Sequence, residues 1–255
     1  MKGLFVTLQS AFAEALSNRR AFAFHAAVMI VNDLAWIGFW VVFFHKAGTV
    51  RGWNTDRIVL LQAVLTTGGG ISLGVLSNAR RVGTLVTSGG LDALLGLPAH
   101  PLAQLLVRKI EPINLGDTIF GIVLFAVAGH PTPWRTVVFF GASVVSTVLM
   151  TSFLVLTGSL AFFGGRSDSG ELGFSAILML SNYPSSVFSG YAKLLMYTVV
   201  PAAFVATVPA QLIDKFDAKL AAEMLAITVV FAAATIATFN AGLRRYTSGS
   251  VWTNA

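Results

Sequence analysis

Residues 136–163 read TVVFFGASVVSTVLMTSFLVLTGSLAFF, a run without a single Asp, Glu, Lys or Arg. A helix needs about 20 apolar residues to cross the hydrocarbon core of a bilayer, so this stretch is long enough to span. Residues 22–44 and 221–242 are also long and apolar enough to span, and no large water-soluble domain separates the three. Two further candidates complete the pattern. Residues 57–77 carry Gly68, Gly69, Gly70 and Gly74, and residues 112–129 open at Pro112. The expected fold is therefore all-α and polytopic, a single membrane domain over 1–255.

Composition agrees. The chain is 55% hydrophobic and only 11% charged, with a mean hydropathy of +0.77, too little polar surface to cover a soluble globule. The absence of cysteine excludes disulfides, thiolate metal sites and cysteine nucleophiles. A net charge of +6 fits basic loops held on an anionic membrane face better than nucleic-acid binding.

The N-terminal stretch lacks the order of a secretory signal and is expected to remain on the protein. Leu4, Leu8, Phe12 and Leu16 recur every four positions, while Gln9, Glu14, Asn18 and Arg19 fall elsewhere. That spacing predicts an interfacial helix over 1–20.

Residues 172–209 are apolar but interrupted by Asn182-Tyr183-Pro184, Gly190, Lys193, Pro201 and Pro209, and read as one span or two. Proline predicts a helix break near Tyr183-Pro184 in either case. Charge placement favours one span there and six in all. With both termini inside, the inner segments hold eleven Lys and Arg (Lys193 and Arg166 among them) against six outside.

The loop at 78–111 stands apart. Its centre, Gly89-Gly90-Leu91-Asp92-Ala93-Leu94-Leu95-Gly96-Leu97-Pro98, has the punctuation of a short helix, followed by a second amphipathic helix. Leu91, Leu94 and Leu95 make an apolar knob that either enters a groove on a soluble partner or packs against lipid headgroups. Gly70 and Gly74 form a small-xxx-small pair suited to close helix approach, a candidate seam between two copies.

Within the spans, Asn32 and Asp33 are the leading polar pair, because an ionisable group inside a bilayer is costly. They either line a translocation route or serve structure through a neighbouring basic group. Asp117, five residues into its span, and His25, near a span end, read as interfacial. No chemistry is legible: the four histidines are isolated, no GxSxG surrounds Ser72, and no GxxxxGK[ST] site occurs. A self-sufficient secondary transporter or channel would display inverted repeats or paired broken helices, and no internal repeat is evident. A membrane scaffold is a weaker alternative.

The segments SGGLDALLGLPAHPLAQLL (88–106), NYPSSVFSGYAKLLMYTVVPAAFVATVPAQLI (182–213) and GLRRYTSGSVW (242–252), in that order and spacing, resemble the ABC-2 type permeases, the membrane halves of ATP-driven exporters. The resemblance covers essentially the full chain. It implies a six-span subunit of a bacterial cytoplasmic membrane with both termini cytoplasmic, paired with a second copy or a related permease. ATP and Mg would be held by a separate ABC ATP-binding subunit, with no cofactor in this chain and an amphipathic or hydrophobic substrate moved outward.

The same resemblance assigns residues 89–98 as a coupling helix, through Leu91, Asp92, Leu94, Leu95 and Pro98. It implies that Leu94→Asp or Asp92→Arg uncouples transport and spares insertion. It also places an outer re-entrant hairpin at 202–218 and makes the N-terminal helix a brace at the ATPase contact.

Overall fold

A computed structural model describes residues 2–165 and 168–247 of the chain, with the Lys2 side chain left out. Arg166 and residues 248–252 of the terminal motif lie outside the described residues. The described residues are helical with no strand, as expected. In chain order the helices are α1 (Lys2–Ser17), α2 (Arg19–Ala47), α3 (Thr55–Gly74), α4 (Val82–Thr87), α5 (Asp92–Leu95), α6 (Pro101–Val107) and α7 (Pro112–Ala128). The second half of the chain forms α8 (Pro133–Ser159), α9 (Ala161–Gly164), α10 (Asp168–Ser181), α11 (Gly190–Thr198), α12 (Val208–Asp214) and α13 (Ala218–Leu243).

Local chemistry sets the starts. Asn18, Asn54, Thr132 and Asp217 each cap a helix by accepting a first-turn amide with the side chain, and Pro101, Pro112 and Pro133 occupy first-turn positions where no donor is needed. Among the described residues, four helices are long and apolar enough to span: α2, α3, the continuous Pro133–Gly164 unit of α8 and α9, and α13.

Side-chain contacts sort the connections onto two faces. On one, Arg51 donates to the carbonyls of Ser186 and Val187, Arg57 pairs with Asp214 at 2.9 Å, His130 approaches Asp56, and Trp134 meets Phe216 edge to face. On the other, Arg80 faces Glu171, Ser77 donates to the Lys109 carbonyl, His100 bonds Asn240 and Tyr246 donates to Asp92. Between this Arg51 face and this Arg80 face the chain makes six transits: α2, α3, α7, α8, α10 and α13.

The fifth transit is where sequence and structure differ most. The break at Tyr183-Pro184 is present, since α10 ends at Ser181. Beyond the break the chain does not continue the span. α11 and the π-helical turn Ala203–Thr207 running into α12 form a pair bent by 68°, and both its ends lie near the Arg51 face. The hairpin is thus Gly190–Asp214 rather than 202–218. Ala202–Ala210 is buried throughout, forming the hairpin's inner limb against α3 and α8. Lys193 moves with it to the Arg51 face, so among the described residues the basic-residue split is nine against seven.

The loop over 78–111 holds three short helices rather than two. α6 meets α7 at 78°, so it runs across the direction of the spans, and α1 lies against it through Thr7 and Gln104, 3.5 Å apart. The face of α1 that packs is Leu4, Leu8, Ala11 and Phe12, while Phe5 and Leu16 remain exposed.

At the centre stands α3, 89% buried along its apolar window, against 22% for α2 and 17% for α13. Its glycines explain the depth. A Cβ on Gly70 would sit 2.6 Å from the Thr118 backbone nitrogen, and one on Gly74 would press on Leu115. These glycines therefore serve the seam between α3 and α7 within one chain, not a seam between copies. Hydroxyl bonds join α8 to its neighbours: Thr147 to the Gly68 carbonyl, Ser72 to Thr151, and Thr235 to the Ser152 carbonyl. Each satisfies a polar group that lipid would leave unpaired.

Candidate functional site

Asp33 is the central residue of the 29-residue α2, and only 9% of it is exposed. Its side of the helix meets α3, α7 and α10 around a cavity of about 500 Å3. α2 contributes Asn32, Asp33 and Trp36, and α3 contributes Gln62 and Thr66. α7 adds Asn114 and Asp117, and the end of α10 adds Asn182 and Tyr183. Gly69 and Gly70 complete the α3 wall.

Polar side chains line part of the cavity at membrane depth. Gln62 reaches toward the Asn182 carbonyl at 3.5 Å, and Asn114 donates to the Leu73 carbonyl at 3.0 Å. Both hold backbone oxygens at helix ends. Trp36 and Tyr183 meet edge to face, ring centroids 6.0 Å apart. One carboxylate oxygen of Asp33 and one of Asp117 are buried without a hydrogen-bond partner.

Asp117 corrects the sequence reading. It is half-buried, lines the same cavity as Asp33 and lies near enough for their charges to repel. The close approach of α2 to α7 is responsible: a Cβ on Gly116 would fall 2.6 Å from the Ala26 carbonyl oxygen. His25 is exposed on the Arg80 face beside Lys109 and Glu111.

A second, basic cavity of about 590 Å3 opens on the Arg80 face and shares Leu73 and Asn114 with the first. Arg80 flanks the junction, 3.7 Å from Glu171 and with its guanidinium 4.4 Å from the Phe174 ring centroid. Asn32 is exposed, beside the cavity at mid-helix. An amide facing lipid at that depth is costly, so this side of α2 fits against water or protein.

The short helix α5 is the second feature. Leu91 and Leu94 are buried, at 0% and 2% exposure, within the apolar core that includes Leu102 and Leu105. They hold the segment down and present no knob. The outward face belongs to Leu95, Leu97 and Pro98. The Tyr246 hydroxyl donates to Asp92 at 2.8 Å, and His100 bonds Asn240 at 2.9 Å, tying α5 and the start of α6 to the end of α13.

Of the residues singled out in the sequence, Asn32 and Asp33 share one site and Leu95 and Pro98 share another surface. Trp36, Gln62, Asp117, Asn182 and Tyr183 were missed. Gln62 carried a signal, as a lone amide inside an apolar span, and so did Trp36, one helical turn beyond Asp33.

A family model described as ABC-2 family transporter protein matches residues 30–250. No curated protein and no solved structure matches the chain.

Proposed function

Because the chain belongs to the ABC-2 transporter family and is a polytopic membrane permease of ABC transport rather than a catalyst, we propose that its cavity is half of an export route. A second permease chain completes it, and a separate ATP-binding subunit drives it. The observation that carries this reading is the cavity between α2, α3, α7 and α10 with its polar side chains, beside an exposed mid-span amide at Asn32. Polar groups at that depth face water or protein rather than lipid, and a route shared with a second chain supplies both.

The Arg80 face is cytoplasmic in this reading, in the membrane of a bacterium, with both termini on that side. Among the described residues, the basic residues favour that side nine to seven. The ATP-binding subunit, holding ATP and Mg, receives Leu95, Leu97 and Pro98, with α1 and α6 bracing the contact. Closure of two such subunits pushes on α5. The push reaches α13 through Tyr246 and α3 through the continuous 75–91 connection, and the cavity changes sides. The single domain 1–255 works as one unit with an amphipathic or hydrophobic substrate, and this chain breaks no bond.

The test is purification of the tagged protein from its native membrane in mild detergent, with mass spectrometry of what accompanies it. A stoichiometric partner with a GxxxxGK[ST] site is expected. Repeated recovery of the folded chain without one overturns the ATP-driven reading in favour of a self-sufficient transporter.

A further inference from the structure

Asp33 and Asp117 place two carboxylates in one cavity at membrane depth, and none of the residues lining it is Lys, Arg or His. The other polar groups there, Asn32, Gln62, Thr66, Asn114 and Asn182, are neutral. Across the junction, Arg80 is engaged by Glu171 and the Phe174 ring, and Lys109 by Glu111. Among the described residues, the adjacent Asn32 side chain is the polar partner of Asp33. One of its oxygens is enclosed and unbonded, in a residue with only 9% of its surface exposed.

A desolvated carboxylate with no counter-ion is costly unless a proton or another cation neutralises it. The wall beside it is aromatic. Trp36 and Tyr183 both line the cavity and meet edge to face at 84°, and aromatic rings beside a carboxylate suit an onium group. A volume of about 500 Å3 lies in the range of small-molecule sites. We propose that the cavity selects organic cations, an ammonium or phosphonium centre carrying apolar substituents, with Asp33 and Asp117 as counter-charge and Trp36 and Tyr183 as the apolar wall. This rests on the cavity being the route and names its substrate class.

Tetraphenylphosphonium and tetraphenylborate share shape and apolar surface and differ in sign. Equilibrium binding of each to the purified full chain in lipid nanodiscs, with empty nanodiscs subtracted, reads charge selection without ATP. Saturable binding of the phosphonium and none of the borate is expected. Asp33→Asn and Asp117→Asn should each weaken the phosphonium by about tenfold or more, while Glu14→Gln, on the far-side α1, leaves it unchanged.

Equal binding of the two ions by the wild-type protein overturns the proposal, whether or not the variants fold. So does undiminished affinity in both Asn variants. Displacement by millimolar sodium but not by a second organic cation assigns the site to an inorganic ion, and overturns it too. The two readings fail separately. Cation binding without any ATP-binding partner leaves the site standing and removes the ATP-driven mechanism. ATP-driven transport that ignores substrate charge does the reverse.

Discussion

Gly116 and Gly38 are both helical glycines within spans, and their surroundings separate them. At Gly116 an added Cβ would meet the Ala26 carbonyl oxygen at 2.6 Å, and that backbone cannot swing aside; at Gly38 nothing lies within 4 Å. Gly116→Ala is therefore expected to push α2 from α7 and cost about 1–3 kcal/mol, as overpacking does. Gly38→Ala is expected to be neutral or to stabilise by about 0.5–1 kcal/mol. Thermal unfolding in detergent checks both, and equal midpoints would refute the close contact between α2 and α7 that brings Asp117 to Asp33. Leu94 obeys similar logic. At 2% exposure, Leu94→Asp buries an unpaired carboxylate, so it is expected to lower the yield of folded protein instead of uncoupling an intact one.

At the scale of the element, α5 is one turn of helix and cannot hold itself. Its position comes from Leu91 and Leu94 beneath it and from Tyr246 beside it. The Tyr246 phenol is pushed up to about 12 by burial first, then by the hydrogen bond and charge of Asp92. Its folded value lies above the ordinary 10.0, so its contribution is complete below pH 10 and is lost as pH rises from 10 to about 12. At neutral pH the phenol is a steady donor. Tyr246→Phe is expected to speed amide exchange across 91–97 at pH 7 and to remove the further acceleration above pH 10. Unchanged exchange would mean that the leucines alone fix the segment. Leu95→Asp and Leu97→Asp change exposed positions, at 48% and 42%. They should leave folding intact and abolish substrate-stimulated ATPase activity in the assembled transporter; normal activity in both would exclude this surface as the contact.

At the scale of the whole molecule, the question is which faces of α2 and α13 meet lipid. The natural absence of cysteine makes single-cysteine labelling direct. Asn32→Cys is expected to react with a hydrophilic, membrane-impermeant maleimide. Val229→Cys, on α13 and 66% exposed, should stay unreactive because lipid covers it. Equal silence at both sites would place Asn32 in lipid and remove the argument for a second chain there. Five of the six transits, the break at Tyr183-Pro184 and the all-α class were legible in the residues alone. A bilayer forces each crossing segment to satisfy its own backbone hydrogen bonds, which turns the fold class into a one-dimensional property of length and hydropathy. The family was legible as well, in the order and spacing of three segments. The site was legible only at Asn32 and Asp33. Tertiary structure decided that Asp117, 84 positions away, shares their cavity, that Leu95 and not Leu94 faces outward, that Gly70 and Gly74 close a seam inside the chain, and that Lys193 lies on the Arg51 face. Each of these depends on how a helix is rotated about its axis and how near another comes. Spans that are apolar on nearly every side carry no periodic signal from which that rotation can be read.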